Sequence, residues 1–153
     1  MPASRNDPLG FAERTRKNLA ALEAVASIGA DVHVVTQVTT SLLGLVAYPW
    51  EKQVAKQFKA SSLQELVQRG WPAWKFLLGT FETLDDLARH LRNAIAHGRF
   101  KFSSDSRELQ EVTIEFEDRK RGANAADWRA SIRAEHLRDF CSRFIALVDS
   151  SEG

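Results

Sequence analysis

Residues 83–102 read TLDDLARHLRNAIAHGRFKF, and this stretch decides how the chain folds. Thr83 and Asp86 have the spacing of a capping box at a helix start, and Gly98 suits a helix end. At about 100° per residue, apolar and polar side chains fall on opposite sides of this helix. The apolar side has Leu84, Leu87, Ala88, Leu91 and Ile95, and the polar side has Asp86, His90, Asn93 and His97. The pattern predicts an amphipathic helix with His97 on its polar side.

Three residues near the end of this helix could act together on a phosphate group. Asn93 and His97 are four residues apart and can touch, whereas Arg92 lies about 140° around the helix from His97. An arginine side chain has the reach to meet the same ligand, and its planar guanidinium suits a phosphate. An imidazole can take the proton of a ribose 2′-hydroxyl while a cation stabilises the charge on the phosphoryl oxygens. Arg92, Asn93 and His97 are therefore the predicted catalytic residues for RNA cleavage, a route that needs no metal.

The run from Arg92 to His97 resembles the R-x4-6-H motif of HEPN domains, with the polar residue that nuclease members usually have after the arginine. The surrounding HLRNAIAHGRF, and VTQVTTSLLGLVAYPWEK at residues 35–52, are also similar to HEPN sequences. The resemblance implies a small helical domain that forms a homodimer, in which motif residues of two subunits face each other across a cleft. It also implies a metal-independent endoribonuclease of toxin-antitoxin or phage-defence type, with RNA as substrate and no cofactor.

The partners that the resemblance implies are an antitoxin or a nucleotidyltransferase. The main alternative is a noncatalytic HEPN-like module that binds a nucleotide, an RNA or a protein partner such as a nucleotidyltransferase. A third interpretation is a structural dimerisation module. Arg129 and His136 also satisfy the motif spacing, but no polar residue follows Arg129, and the pair spans a predicted strand and the start of a helix. We interpret this second match as a coincidence.

Several basic and aromatic residues are secondary candidates for RNA binding. Arg99 and Lys101, just past the motif helix, are weaker candidates for holding the RNA backbone. Three basic residues, Arg119, Lys120 and Arg121, follow an acidic strand, and a solubilising turn is a commoner reason for them than phosphate binding. The pair Trp71 and Trp74 is more typical of packing anchors than of base-stacking platforms.

Composition limits the class of protein. The 153 residues, of which 44% are hydrophobic, suit a single domain over residues 1–153, with residues 1–7 and 149–153 frayed. The net charge is +1, from 21 basic and 20 acidic residues, so RNA binding would need a local basic patch. One cysteine, Cys141, excludes a disulfide framework within the chain. No signal peptide or membrane span is recognisable, so we expect a cytoplasmic protein.

The other segments complete the predicted architecture. Helices are expected from residue 8 to about 26, across the apolar stretch that Pro49 ends, after a second capping box at Ser62 and Glu65, and over residues 134–148. Alternating residues predict strands near residues 100–102, 112–116 and 128–132. Together these signals predict a mainly α fold, a HEPN-like bundle of about four or five helices, with a small antiparallel β-hairpin before the C-terminal helix.

Overall fold

The computed structural model describes residues 8–47, 59–80 and 82–151. In chain order the elements are α1 (Pro8–Ser27), α2 (Val34–Ala47), α3 (Leu63–Gln68), β1 (Lys75–Leu78), α4 (Leu84–Ala96), β2 (Phe100–Phe102), a 3-10 turn (Leu109–Glu111), β3 (Thr113–Asp118), β4 (Trp128–Arg133) and α5 (Ala134–Ser151). The predicted helix end at Pro49 and residues 1–7 and 152–153 lie outside the described residues. The last helix continues to Ser151, past its predicted end at residue 148.

The expected helical bundle with a small hairpin is wrong. Of the described residues 54% are helical, and they contain a four-stranded antiparallel sheet in the order β1-β4-β3-β2, so the fold is mixed α/β. The strand β1 was not predicted, because residues 75–78 do not alternate between polar and apolar side chains. In the structure all four residues of this strand are exposed. It is held as a strand by antiparallel pairing with β4, which begins more than fifty residues later, and this contact leaves no local signal.

The inner surface of the sheet packs against α4. Antiparallel pairing sets Ile114 opposite Ile132 and Phe116 opposite Ala130, and all four side chains are buried. The predicted apolar side of α4 is confirmed, because each of its residues is buried: Leu84, Leu87, Ala88, Leu91 and Ile95. Since β3 and α4 pack together, the polar side of α4 emerges next to the end of β3.

The two ends of α4 are fixed by local hydrogen bonds. The Thr83 hydroxyl accepts from the Asp86 amide at 3.2 Å, and the Asp86 carboxylate accepts from the Thr83 amide at 3.3 Å, so the predicted capping box is confirmed. Burial raises the pKa of Asp86, but the hydrogen bonds from Thr83 outweigh this effect, and the pKa lies below its usual value. Ser62, by contrast, precedes α3 without a side-chain capping bond, so the second predicted box is wrong although the helix is present.

The remaining helices close the core. Helix α2 packs against α1, α4 and α5. Its predicted apolar residues are buried, which are Val34, Val35, Val38, Leu42, Leu45 and Val46. This surface of α2 therefore serves the internal core of the chain.

The two tryptophans after α3 act as packing anchors, as predicted. The ring of Trp71 meets Phe140 of α5 edge-on, with 5.6 Å between the centroids. The ring of Trp74 also meets Phe140 edge-on, at 5.5 Å. None of the helices in the described ranges is both long and apolar enough to cross a membrane.

Candidate functional site

His97 is positioned by the way α4 ends. It is the C-terminal capping residue, and Gly98 follows in the left-handed conformation with φ +66°. The Gly98 amide donates to the Ile95 carbonyl at 3.1 Å and the Arg99 amide donates to the Ala94 carbonyl at 2.7 Å, which is the pattern of a Schellman motif. Gly98 is thus confirmed as the helix stop. The turn leaves the His97 side chain exposed and directs the chain into β2.

Asn93 and His97 open onto one cavity of about 400 Å³. Its wall is completed by Arg99 and by residues 118–123, which are the end of β3 and the connection to β4. The three parts are held together because the Glu117 amide donates to the Arg99 carbonyl at 3.0 Å, which joins the start of β2 to the end of β3. A volume of this size is within the range of small-molecule and nucleotide sites.

The other predicted residues lie around this cavity in different ways. Arg92 is half-buried on α4, and it is not one of the described residues that line the cavity with His97. Arg99 lines this cavity and a neighbouring one of about 310 Å³. Lys101 lines the smaller cavity, where its Nζ lies 3.6 Å from Oε2 of Glu115. Asn93, His97 and Arg99 therefore meet within one chain, whereas Arg92 does not join them.

A buried carboxylate that sequence reasoning missed lies directly behind Asn93. Asp118 ends β3 on the inner surface of the sheet, and its side chain is 7% exposed. Its Oδ2 lies 2.8 Å from Nδ1 of His90 and accepts a longer hydrogen bond from Nδ2 of Asn93 at 3.4 Å. Its Oδ1 accepts from the Arg119 amide at 2.8 Å. Asp118 thus links the middle of α4 to the start of the β3–β4 connection.

The ring of His90 is held by two contacts, one with Trp128 and one with Asp118. It stacks on Trp128, with 4.6 Å between ring centroids and 6° between planes, while its Nδ1 faces Asp118. The register places Trp128 opposite Asp118 across the β3–β4 pair. A signal for Asp118 exists in the sequence: the alternation of Val112, Ile114 and Phe116 continues inward to residue 118. An inward carboxylate at the end of such a strand needs a polar partner.

The outer surface of the same strands carries compensated charge. Arg129 contacts Glu115 at 3.0 Å and Glu117 at 3.3 Å, and Arg119 contacts Glu117 at 3.1 Å. Hydrogen bonds from Arg119, and with smaller effect from Arg129, lower the pKa of Glu117 below its usual value, although burial acts in the opposite direction. Arg129, the first residue of the second spacing match, is thus paired with two glutamates on this surface and does not line the cavity with His97. His136, the second residue of that spacing match, lies on α5, where its Nε2 is 3.7 Å from Oε1 of Glu135.

The family follows from a comparison of the whole chain with protein-family models. Residues 1–153 match the model described as HEPN pEK499 p136. The chain belongs to this HEPN family. Neither a search of curated proteins nor a search of solved structures returned a match. Membership identifies the chain as a HEPN-family domain.

Proposed function

We propose that this HEPN-family chain is a metal-independent endoribonuclease of toxin or antiviral-defence type. The observation that carries the proposal is that Asn93 and His97 of the motif open onto one cavity walled by basic residues. His97 takes the proton of a ribose 2′-hydroxyl, and the freed oxygen attacks the adjacent phosphorus. The O2′–P bond forms and the P–O5′ bond breaks, and the leaving 5′-oxygen takes up a proton, which gives a 2′,3′-cyclic phosphate and a 5′-hydroxyl.

Asn93 has a positioning role in this reaction. Its Nδ2 donates toward Asp118, so the amide group is tethered while its side chain still borders the cavity. An amide held in this way can orient His97 or the substrate by a hydrogen bond. The position of Asn93 next to His97 on one side of α4 is the reason to assign it to the same site.

Arg92 enters the proposal through a second copy of the chain. On its own helix Arg92 is about 140° around from His97, so the two side chains leave α4 in different directions. Two copies related by a twofold axis could bring Arg92 of the partner subunit to His97. Because an isologous interface repeats each contact, the dimer would contain two such sites. In this composite site the guanidinium stabilises the negative charge that builds on the phosphoryl oxygens.

The assay is cleavage of a labelled single-stranded RNA in the presence of excess EDTA. His97→Ala should lower the rate by roughly 100-fold or more, the size expected for a lost general base. His136→Ala is the matched control, because His136 is also an exposed histidine and borders no part of the cavity. We expect the control to cleave at the wild-type rate. Equal cleavage by wild type and His97→Ala would remove the proposed mechanism.

A mixing experiment tests the composite site. Arg92→Ala and His97→Ala should each be inactive alone. In a random mixture about half of the dimers pair one variant with the other, and each has one intact site, so about a quarter of wild-type activity should return. If Arg92 and His97 of the same subunit worked together, no mixed dimer would have an intact site, and the mixture would stay inactive.

The second candidate is a noncatalytic HEPN-like module that binds RNA, a nucleotide or a protein partner. It is favoured by the absence of Arg92 from the described residues that line the His97 cavity. RNA binding by the wild-type protein without cleavage, in the assay above, would select this function.

A further inference from the structure

The β3–β4 connection concentrates positive charge beside His97. Four cationic side chains line the cavity: Arg99, Arg119, Lys120 and Arg121. Asp118 is the carboxylate among the described lining residues, and its two oxygens are already engaged by α4 and the Arg119 amide. The local excess of positive charge is therefore large in a chain whose net charge is only +1. This is the local patch that RNA binding by such a chain requires.

Three of these cations have no acidic partner among the described residues. Arg119 donates to Glu117 at 3.1 Å, and its buried Nε has no hydrogen-bond partner in the described part of the chain. Within the same described ranges, no carboxylate lies in ion-pair distance of Arg99, Lys120 or Arg121. Elsewhere on the sheet arginines are compensated, as the two contacts of Arg129 with glutamates illustrate. The cations around the cavity are left available for an anion.

The connection contains an ordered turn that positions the backbone of Lys120 and Arg121. The Lys120 carbonyl accepts from the Ala123 amide at 2.9 Å. Gly122 occupies the third position of this turn with φ +78°, the conformation that a type II turn requires there and that glycine tolerates. The other end of the connection is tied by the Asp127 amide, which donates to the Asp118 carbonyl at 3.1 Å. Arg121 is therefore presented at the second position of an ordered turn.

We propose that Arg99, Lys120 and Arg121 bind backbone phosphates of single-stranded RNA on either side of the phosphodiester bond that is cleaved next to His97. The inference rests on the proposed function for the position of the cleaved bond, but the binding itself is independent of cleavage. Phosphate contacts of this kind hold a strand in register without reading its bases. The β3–β4 connection is thus the RNA-positioning element of this chain.

The test is fluorescence anisotropy with a labelled single-stranded 2′-O-methyl RNA, which cannot be cleaved by 2′-oxygen attack. The variants are Arg99→Gln, Lys120→Gln and Arg121→Gln, titrated from about 50 mM to about 1 M salt. Each lost phosphate contact should lower the magnitude of the slope of log affinity against log salt concentration by about 0.7. The ratio of wild-type to variant affinity should therefore be roughly eightfold larger at about 50 mM salt than at about 1 M salt. Lys75→Gln is the matched control, because Lys75 is exposed on β1 at the opposite edge of the sheet.

The outcomes separate this inference from the nuclease proposal. Weaker binding and a slope of smaller magnitude in the three variants, with wild-type binding by Lys75→Gln, would support the inference even if the protein cleaves no RNA. Wild-type affinity in all three variants, or an equal loss in Lys75→Gln, would overturn it. Displacement of the RNA by free ATP at an equal concentration of phosphate groups would also overturn it, because the site would then be one for a nucleotide.

Discussion

Replacing Asp118 with alanine should lower the free energy of unfolding by roughly 2–4 kcal/mol. The carboxylate is 7% exposed, and it faces His90 at 2.8 Å, the Arg119 amide at 2.8 Å and Asn93 at 3.4 Å. A hydrogen bond to a charged group contributes about 1.5–3 kcal/mol, and its loss leaves a buried partner unsatisfied. The three contacts share one carboxylate, and the Asn93 contact is long, so their contributions do not add in full.

Urea unfolding followed by circular dichroism measures this effect. In thermal unfolding, a loss of about 2–4 kcal/mol in the free energy of unfolding lowers the melting temperature of a chain of this length by roughly 5–15 °C. The control is Asp127→Ala, because Asp127 is an exposed aspartate at the other end of the same connection. Its free energy of unfolding should stay within about 0.5 kcal/mol of the wild type. Equal unfolding midpoints for the two variants would refute the idea that Asp118 ties α4 to the sheet.

Two further predictions concern stability and accessibility. The pKa of Asp86 is lower in the folded chain than in the unfolded chain. The contribution of its carboxylate to the free energy of unfolding is therefore fully present above the unfolded pKa of about 4, and it is lost as the pH falls through the pKa of the folded chain. Asp86→Ala should therefore cost about 1 kcal/mol at pH 7, and urea titrations should find a smaller cost at pH 3. Burial raises the pKa of the Cys141 thiol to about 12, so a thiol reagent at pH 8 should label Cys141 only as fast as the chain opens. Rapid labelling of the native chain would contradict the buried position of Cys141.

The motif helix could be predicted from sequence because its determinants are local. The capping contact between Thr83 and Asp86 spans three residues, and the stop at Gly98 follows directly after the motif. The apolar and polar sides of α4 depend on the 3.6-residue period alone. These features position His97 and Asn93 without information from the rest of the chain.

The environment of the motif could not be predicted in the same way. Asp118 contacts His90 across 28 positions of the chain, and no local pattern states that these two side chains meet. The strand β1 has four exposed residues and forms through its pairing with β4. The sequence of the basic turn after β3 is typical of a solubilising segment, and its proposed role in RNA binding follows from the fold, which brings it beside His97.

The chemical ends of the RNA products test the central claim most directly. A single-stranded RNA incubated with the wild-type protein in EDTA should yield fragments that end in a 2′,3′-cyclic phosphate and begin with a 5′-hydroxyl, as identified by mass spectrometry. An otherwise identical strand with a 2′-deoxyribose at the cleaved position should stay intact, and so should RNA incubated with His97→Ala. Fragments with 3′-hydroxyl and 5′-phosphate ends, or the same products from His97→Ala, would contradict attack by the 2′-oxygen with His97 as its base.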